Sequence, residues 1–164
     1  MLKGGRVVIT LSPYFIWKEV FIMAEYSYIP VQTVEVDENL IFMNGSRQCR
    51  KGFIQHRDDS GIFTFKGTNN PCGATYNVSF GANIAIADGG TVEPISIALT
   101  YNGEVLRNTI RTVTPAAIGD AFSVSFDTLI DVPCGCCVSI AVENVSDTTE
   151  IDVENANILF SRVA

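Results

Sequence analysis

Three consecutive stretches near the end of the chain alternate apolar and polar residues with a period of two. Phe122, Val124 and Phe126 stand in one phase against Ser123, Ser125 and Asp127. Val138, Ile140 and Val142 repeat the pattern against Ser139, Ala141 and Glu143, and Ile151 and Val153 begin it again against Asp152 and Glu154. Successive side chains of a strand point to opposite faces, so each run predicts a strand with one buried side. At Asn155 the phase slips, and Ala156, Ile158 and Phe160 take over. One extra residue that shifts the phase predicts a β-bulge. Ile158-Leu159-Phe160 is apolar on both faces, so this last strand needs cover on each side. Alternation sends Ile158 and Phe160 to the core and leaves Leu159 pointing outwards with Asn157 and Ser161.

The same reading extends upstream. Val31 to Val36 and Leu40-Ile41-Phe42 predict short strands before an Asn44-Gly45 turn. Gly52 to His56 is a weaker strand, and Ile62 to Lys66 follows the Asp58-Asp59-Ser60-Gly61 turn. Thr75 to Ile86 is the longest alternating run, with Tyr76, Val78, Phe80, Ala82, Ile84 and Ile86 in phase. Ile95, Ile97, Leu99 and Tyr101 mark the next strand. Asn102-Gly103 is a two-residue hairpin signal, because both central residues of a type I′ turn need positive φ. Glu104 to Val113 then returns as one strand. About ten short strands with turn signals and no convincing helix predict an all-β fold, a two-sheet antiparallel jelly roll.

The whole chain has 164 residues, enough for one domain with a sizeable core. Apolar residues make up 47% and charged residues 18%, which argues against disorder. A net charge of −7 argues against nucleic acid as a partner, since phosphate contacts need clustered Lys and Arg. No apolar run is long enough to predict a membrane helix, so no membrane partner is expected.

Residues 1–22 differ in pattern from the remainder of the chain and hold the only Trp, Trp17. A signal peptide is one reading of Lys3, Arg6 and the apolar stretch, but no small-x-small cleavage site comes after it. A packing arm is another. The preferred expectation is an N-terminal extension upstream of a native start at Met23, because Lys18-Glu19-Val20 can be encoded by a ribosome-binding sequence. The domain then spans 23–164.

Candidate chemistry is sparse. His56, the only histidine, adjoins Arg57 and an acidic turn, and is expected to be a partly exposed strand-end residue rather than a general base. Glu150, Asp152 and Glu154, with Asp147 nearby, offer carboxylate oxygens of the kind calcium takes, but a solvated face guarding a sheet edge is the preferred reading. Phe63, Phe65, Tyr76, Phe80, Tyr101, Phe122 and Phe126 fall at strand period and are expected in the core. Tyr26 and Tyr28 lie outside the expected strands, free to pack on a neighbouring subunit. If strands alternate up and down, Cys49, Cys72, Cys134, Cys136 and Cys137 all gather at one barrel end. Buried structural thiols, a disulfide within or between chains, and a soft-metal site all remain open, the first preferred. An odd number of cysteines, five, makes a reducing site of synthesis the simpler reading. No catalytic residue, metal or cofactor is assigned.

The segments AEYSYIPVQTVEVDENLIF, HRDDSGIFTFKG, TPAAIGD and VPCGCCVSIAVEN, ending in ENANILF, resemble small proteins encoded by phages and prophages of gut Firmicutes. These are similar to the C1q/TNF-like jelly roll and to the C-terminal domains of exosporium glycoproteins of the BclA kind. The resemblance implies a non-enzymatic homotrimer at a virion surface, as a decoration knob or fibre module, touching other virion proteins and surface glycans. It places the terminal strand, and hence Leu159, beside the three-fold axis. A bacterial cell- or spore-surface adhesion module is the second reading. A carbohydrate-active enzyme is the third, weakened by the missing acid/base pair.

Overall fold

The structure is a computed structural model that describes residues 23–47, 53–67, 73–135 and 137–164. The expected N-terminal extension, 1–22, lies outside the described residues. So do Cys49, Cys72 and Cys136.

The described residues form twelve strands: β1 (Met23–Tyr28), β2 (Gln32–Val34), β3 (Met43–Arg47), β4 (Ile54–His56), β5 (Phe63–Phe65), β6 (Ala74–Ile86), β7 (Ile95–Tyr101), β8 (Glu104–Val105), β9 (Arg111–Val113), β10 (Phe122–Val132), β11 (Val138–Asn144) and β12 (Ile151–Arg162). They make two six-stranded antiparallel sheets. The first runs β10-β6-β12-β1-β3, with β2 also on β12; the second runs β4-β5-β11-β7-β8, with β9 also on β7. The chain crosses repeatedly between the sheets, as a jelly roll requires.

The alternating residues fill the space between the sheets. On β6, Tyr76, Val78, Phe80, Ala82, Ile84 and Ile86 are all buried. Across from them an aromatic cluster forms, with Phe63 meeting Tyr26 at 4.9 Å, Phe160 at 4.9 Å and Phe42 at 5.4 Å between ring centroids. Tilted and edge-on contacts of this kind add to the gain from burial. Phe122 departs from expectation: it begins β10 at the sheet's margin and is 39% exposed. Tyr101 packs against the core only in part, its hydroxyl donating to the Asp131 carbonyl at 2.9 Å.

The bulge at Asn155 is present. Glu154 faces Asn83 and Asn157 faces Gly81, so Asn155 and Ala156 share the space opposite Ala82. Asn155 has φ 54°, a left-handed conformation that Asn tolerates better than most residues. The bulge falls where β12 changes neighbours: Ile151–Val153 pair with β2, whereas Ala156–Ser161 pair with β1.

Four local expectations are corrected. Tyr26 and Tyr28 lie in β1, and Tyr26 is buried at 2% exposure within its own protomer. Asn44-Gly45 makes no turn; it lies in β3, where the register jumps from Tyr26↔Asn44 to Glu25↔Arg47 and absorbs the extra residues as an irregularity. Leu40–Phe42 makes no continuous ladder: the Leu40 N–H donates to the Val142 carbonyl at 2.8 Å and the Phe42 N–H to that of Ser60 at 3.1 Å, while Ile41 between them turns to the Gln32 side chain. Gln32 accepts from the Ile41 N–H at 2.8 Å and donates to the Ile41 carbonyl at 3.1 Å. The return after Asn102-Gly103 is broken by a short 3-10 turn, Arg107–Thr109. There the Thr109 hydroxyl accepts from the Leu99 N–H at 2.9 Å and donates to the Leu106 carbonyl at 2.7 Å, replacing a ladder partner. The hairpin itself has the expected dihedrals, φ 51° at Asn102 and 82° at Gly103.

Candidate assembly face and thiol loop

The outer side of the first sheet is a broad face of small polar residues. Its rows follow from the registers. One row is Asp127–Ser79–Leu159–Glu25, and the next is Leu129–Asn77–Ser161–Met23. Leu159 is half-buried, while Leu129 and Met23 are 62% and 38% exposed. Met43, opposite Ser27 in the row on the other side of Leu159, is 48% exposed, so four large apolar side chains stand in adjacent rows of a mostly polar surface. Isolated exposed leucines are ordinary; a shared face is more informative.

The carboxylates of this face are held by donors from neighbouring strands. Thr75 Oγ1 donates to Asp131 at 2.7 Å, Asn157 Nδ2 to Glu25 at 2.9 Å, and Ser79 Oγ to Asp127. Thr33 Oγ1 donates to Asp152 at 2.6 Å, and Asn83 Nδ2 approaches Glu154 at 3.5 Å. Cross-strand pairs of this type fix both side chains at small net energy. Among the described residues no group of three or more His, Cys, Asp or Glu side chains converges as a metal site.

The thiols of Cys134 and Cys137 are exposed on the loop from β10 to β11, which differs from the expected burial. The loop's backbone packs against the exit of β5 and the start of β6. A Cβ on Gly67 would fall 2.6 Å from the Gly135 carbonyl oxygen, and one on Gly73 would fall 2.6 Å from that of Val132. Backbone fills the space beneath the loop, and these two side chains point to solvent.

His56 ends β4 half-buried. Its Nε2 lies 2.9 Å from the Ser60 carbonyl, its ring stacks on Phe63 at 4.5 Å, and Tyr26 is 4.8 Å away. These contacts close the β4–β5 turn.

Sequence reasoning missed Asn144. It sits at the core phase of β11 with no exposure. Its Nδ2 donates to the Val34 and Thr149 carbonyls at 3.0 and 3.1 Å, and its Oδ1 accepts from the Ser146 N–H at 3.0 Å. The signal was available: a polar residue continues the inward series Val138, Ile140, Val142. Two carboxylates also shift. Burial, and then the Asp37 carboxylate, raise the pKa of Glu143 on the outer side of β11. Hydroxyl donation from Thr149, and then from Thr148 at 2.7 Å, lowers that of Glu93.

No protein-family model matches the sequence, and no curated protein matches it. Solved structures do. The globular domain of zebrafish complement 1qA protein is similar with a TM-score of 0.51 and 10% identity, covering 86% of this chain and 94% of that one. Murine APRIL at pH 5.0 is similar with a TM-score of 0.55 and 9% identity, covering 86% and 99% of the two chains. Its pH 8.0 structure gives 0.54 and 9%, covering 87% and 99%. The chain has a C1q/TNF-like jelly-roll fold. Among the described residues, no helix is long and apolar enough to cross a membrane.

Proposed function

We propose that this chain is a non-enzymatic assembly and display domain that works as a homotrimer on a phage virion, as a surface knob or fibre module. The observation that carries the reading is the C1q/TNF-like sandwich with Leu159, Leu129 and Met23 on one outer face. Closure of three copies about an axis covers such a face without leaving a growing end. The phage origin rests on the resemblance of VPCGCC and the terminal ENANILF strand to small phage-encoded proteins. Adhesion to host surface or glycans is the activity that display would serve. The non-enzymatic part is supported by His56, whose ring nitrogen and faces are engaged in holding a turn.

Two measurements test the two halves. Light scattering on the purified protein is expected to give three times the chain mass at micromolar concentration. A folded monomer overturns the assembly. Mass spectrometry of purified particles from a host carrying the gene is expected to find the protein in the virion. Its presence only in the cell wall or spore fraction overturns the phage placement in favour of a host adhesion module.

A further inference from the structure

The connection from β2 to β3 lies along the end of β11. The Leu40 N–H donates to the Val142 carbonyl at 2.8 Å, and the Asn144 N–H donates to the Glu38 carbonyl at 3.0 Å. These two bonds flank Asn39 and Glu143, which face each other as an isolated antiparallel bridge. Because the flanking residues carry the hydrogen bonds, the facing pair is the close one, with Cα atoms about 4.5 Å apart and side chains on one side. Both residues line one cavity of about 120 Å³ on the outer side of the second sheet. The Asn39 Oδ1 is buried and has no hydrogen-bond partner among the described residues. A buried acceptor calls for a donor. Ionised Glu143 offers only acceptors, whereas its protonated form carries one O–H.

We propose that Glu143 and Asn39 form an acid-closed latch, in which Glu143 takes a proton from solvent and donates it in a hydrogen bond to the Asn39 Oδ1. Above that range two acceptors face each other, and the connection is held by its backbone bonds alone. Among the described residues Glu143 is the one ionisable group lining the cavity. Asp37, on the same connection, is the charged group that acts on it from outside. On its other flank β7 presents Ala98 and Thr100, which do not titrate. Burial and the Asp37 carboxylate raise the pKa of Glu143, so the latch closes at a milder acidity than an ordinary glutamate would need. It opens as pH rises through that raised value. Both strands joined by the connection belong to the first sheet and β11 to the second, so closing the latch tightens a join between the sheets.

The test uses the full chain, isotopically labelled, and hydrogen exchange read by NMR. Protection of the Leu40 and Asn144 amides, taken relative to amides of β10 in the first sheet, should be about threefold greater at pH 4 than at pH 7. That is the scale of one half-buried hydrogen bond. Glu143→Gln should hold the higher protection at both pH values, its amide standing in for the protonated carboxyl. Asn39→Ala should keep only the smaller dependence due to Asp37, and should lower the Glu143 pKa followed at its side-chain carboxyl carbon. Protection that ignores pH in the unmodified chain overturns the latch. So does an undiminished dependence in Asn39→Ala, which would assign the whole effect to Asp37. A rise in the Glu143 pKa in Asn39→Ala overturns it too, because the Asn39 amide would then be donating to the carboxylate at neutral pH. Each readout is the same in a monomer and in a trimer, so the assembly reading stands or falls separately.

Discussion

Asn144 shows how one polar residue organises a sheet end. Its amide closes three backbone groups that would otherwise be buried without partners. Leaving such groups unpaired is expensive, so Asn144→Ala should cost about 2–4 kcal/mol in denaturant unfolding. Loss of less than about 1 kcal/mol would mean that water replaces the amide freely. Glu143 acts in the opposite sense. Its folded pKa is raised, so the folded state prefers the protonated carboxyl. Its contribution to stability is present at low pH and is lost as pH rises through the unfolded value towards the raised one. Glu143→Gln is therefore expected to stabilise the protein at neutral pH by about 0.5 kcal/mol, a small figure because the group is largely solvated. The gain should vanish near pH 4, and thermal melts of both variants across that range check it. Glu93, with its pKa lowered, has the reverse dependence: it stabilises above its unfolded value and that help fades on acidification.

At the scale of elements, β12 carries the most demanding geometry. Deleting Asn155 would bring Ile151, Val153, Ala156, Ile158 and Phe160 into one strict period of two, with Ala156 facing Ala82, so a regular strand could point all of them inwards without a bulge. All five are buried. The deletion is therefore expected to keep a cooperative melt, and loss of that melt would mean that the bulge itself is required; Asn155→Gly should also be tolerated because φ 54° suits glycine. The bulge was legible in the sequence because a phase slip is written in the order of apolar residues along one strand. The long strands β6, β10, β11 and β12 were legible for the same reason. The illegible features depended on partners distant in sequence. Thr109 breaks the strand after Asn102-Gly103 only because the Leu99 N–H stands opposite its hydroxyl. Asn44-Gly45 carries a turn signature, yet pairing with β1 keeps it in a strand. Tyr26 falls in a short segment without clear alternation, and its burial depends on Phe63 and Phe160. Of the candidate face, Leu159 was readable from alternation. Leu129 and Met23 join it only once the order of strands is known.

For the whole molecule, the proposed trimer predicts a sharp contrast between two substitutions. Full burial of a leucine is worth about 1.5–3 kcal/mol, so in the proposed trimer Leu159 would contribute to assembly without sustaining it alone. Leu159→Asp puts a charge on the assembly face while leaving the core intact. It should shift light-scattering mass towards the monomer with little loss in melting temperature at equal chain concentration. Phe63→Leu removes a ring from the aromatic cluster and should lower the melting temperature while the mass stays threefold. The reverse pattern would separate this face from assembly.

The place of β12 in the first sheet has a consequence for how the chain comes to be folded at all. The last strand lies between β6 on one side and β1 and β2 on the other. Met23 lies opposite Ser161, so the two ends of the domain meet across one ladder. During synthesis every earlier strand can be complete while the middle of this sheet is still an open slot. The edges of β6, β1 and β2 that flank it are then unpaired, a state prone to capture by other chains. The chain must have left the ribosome through Arg162 before the sheet can close. Long loops must also be closed first, which makes the reaction slow. The sheet is thus closed by a strand made after all its neighbours, and the nascent chain most needs protection while that slot stands open.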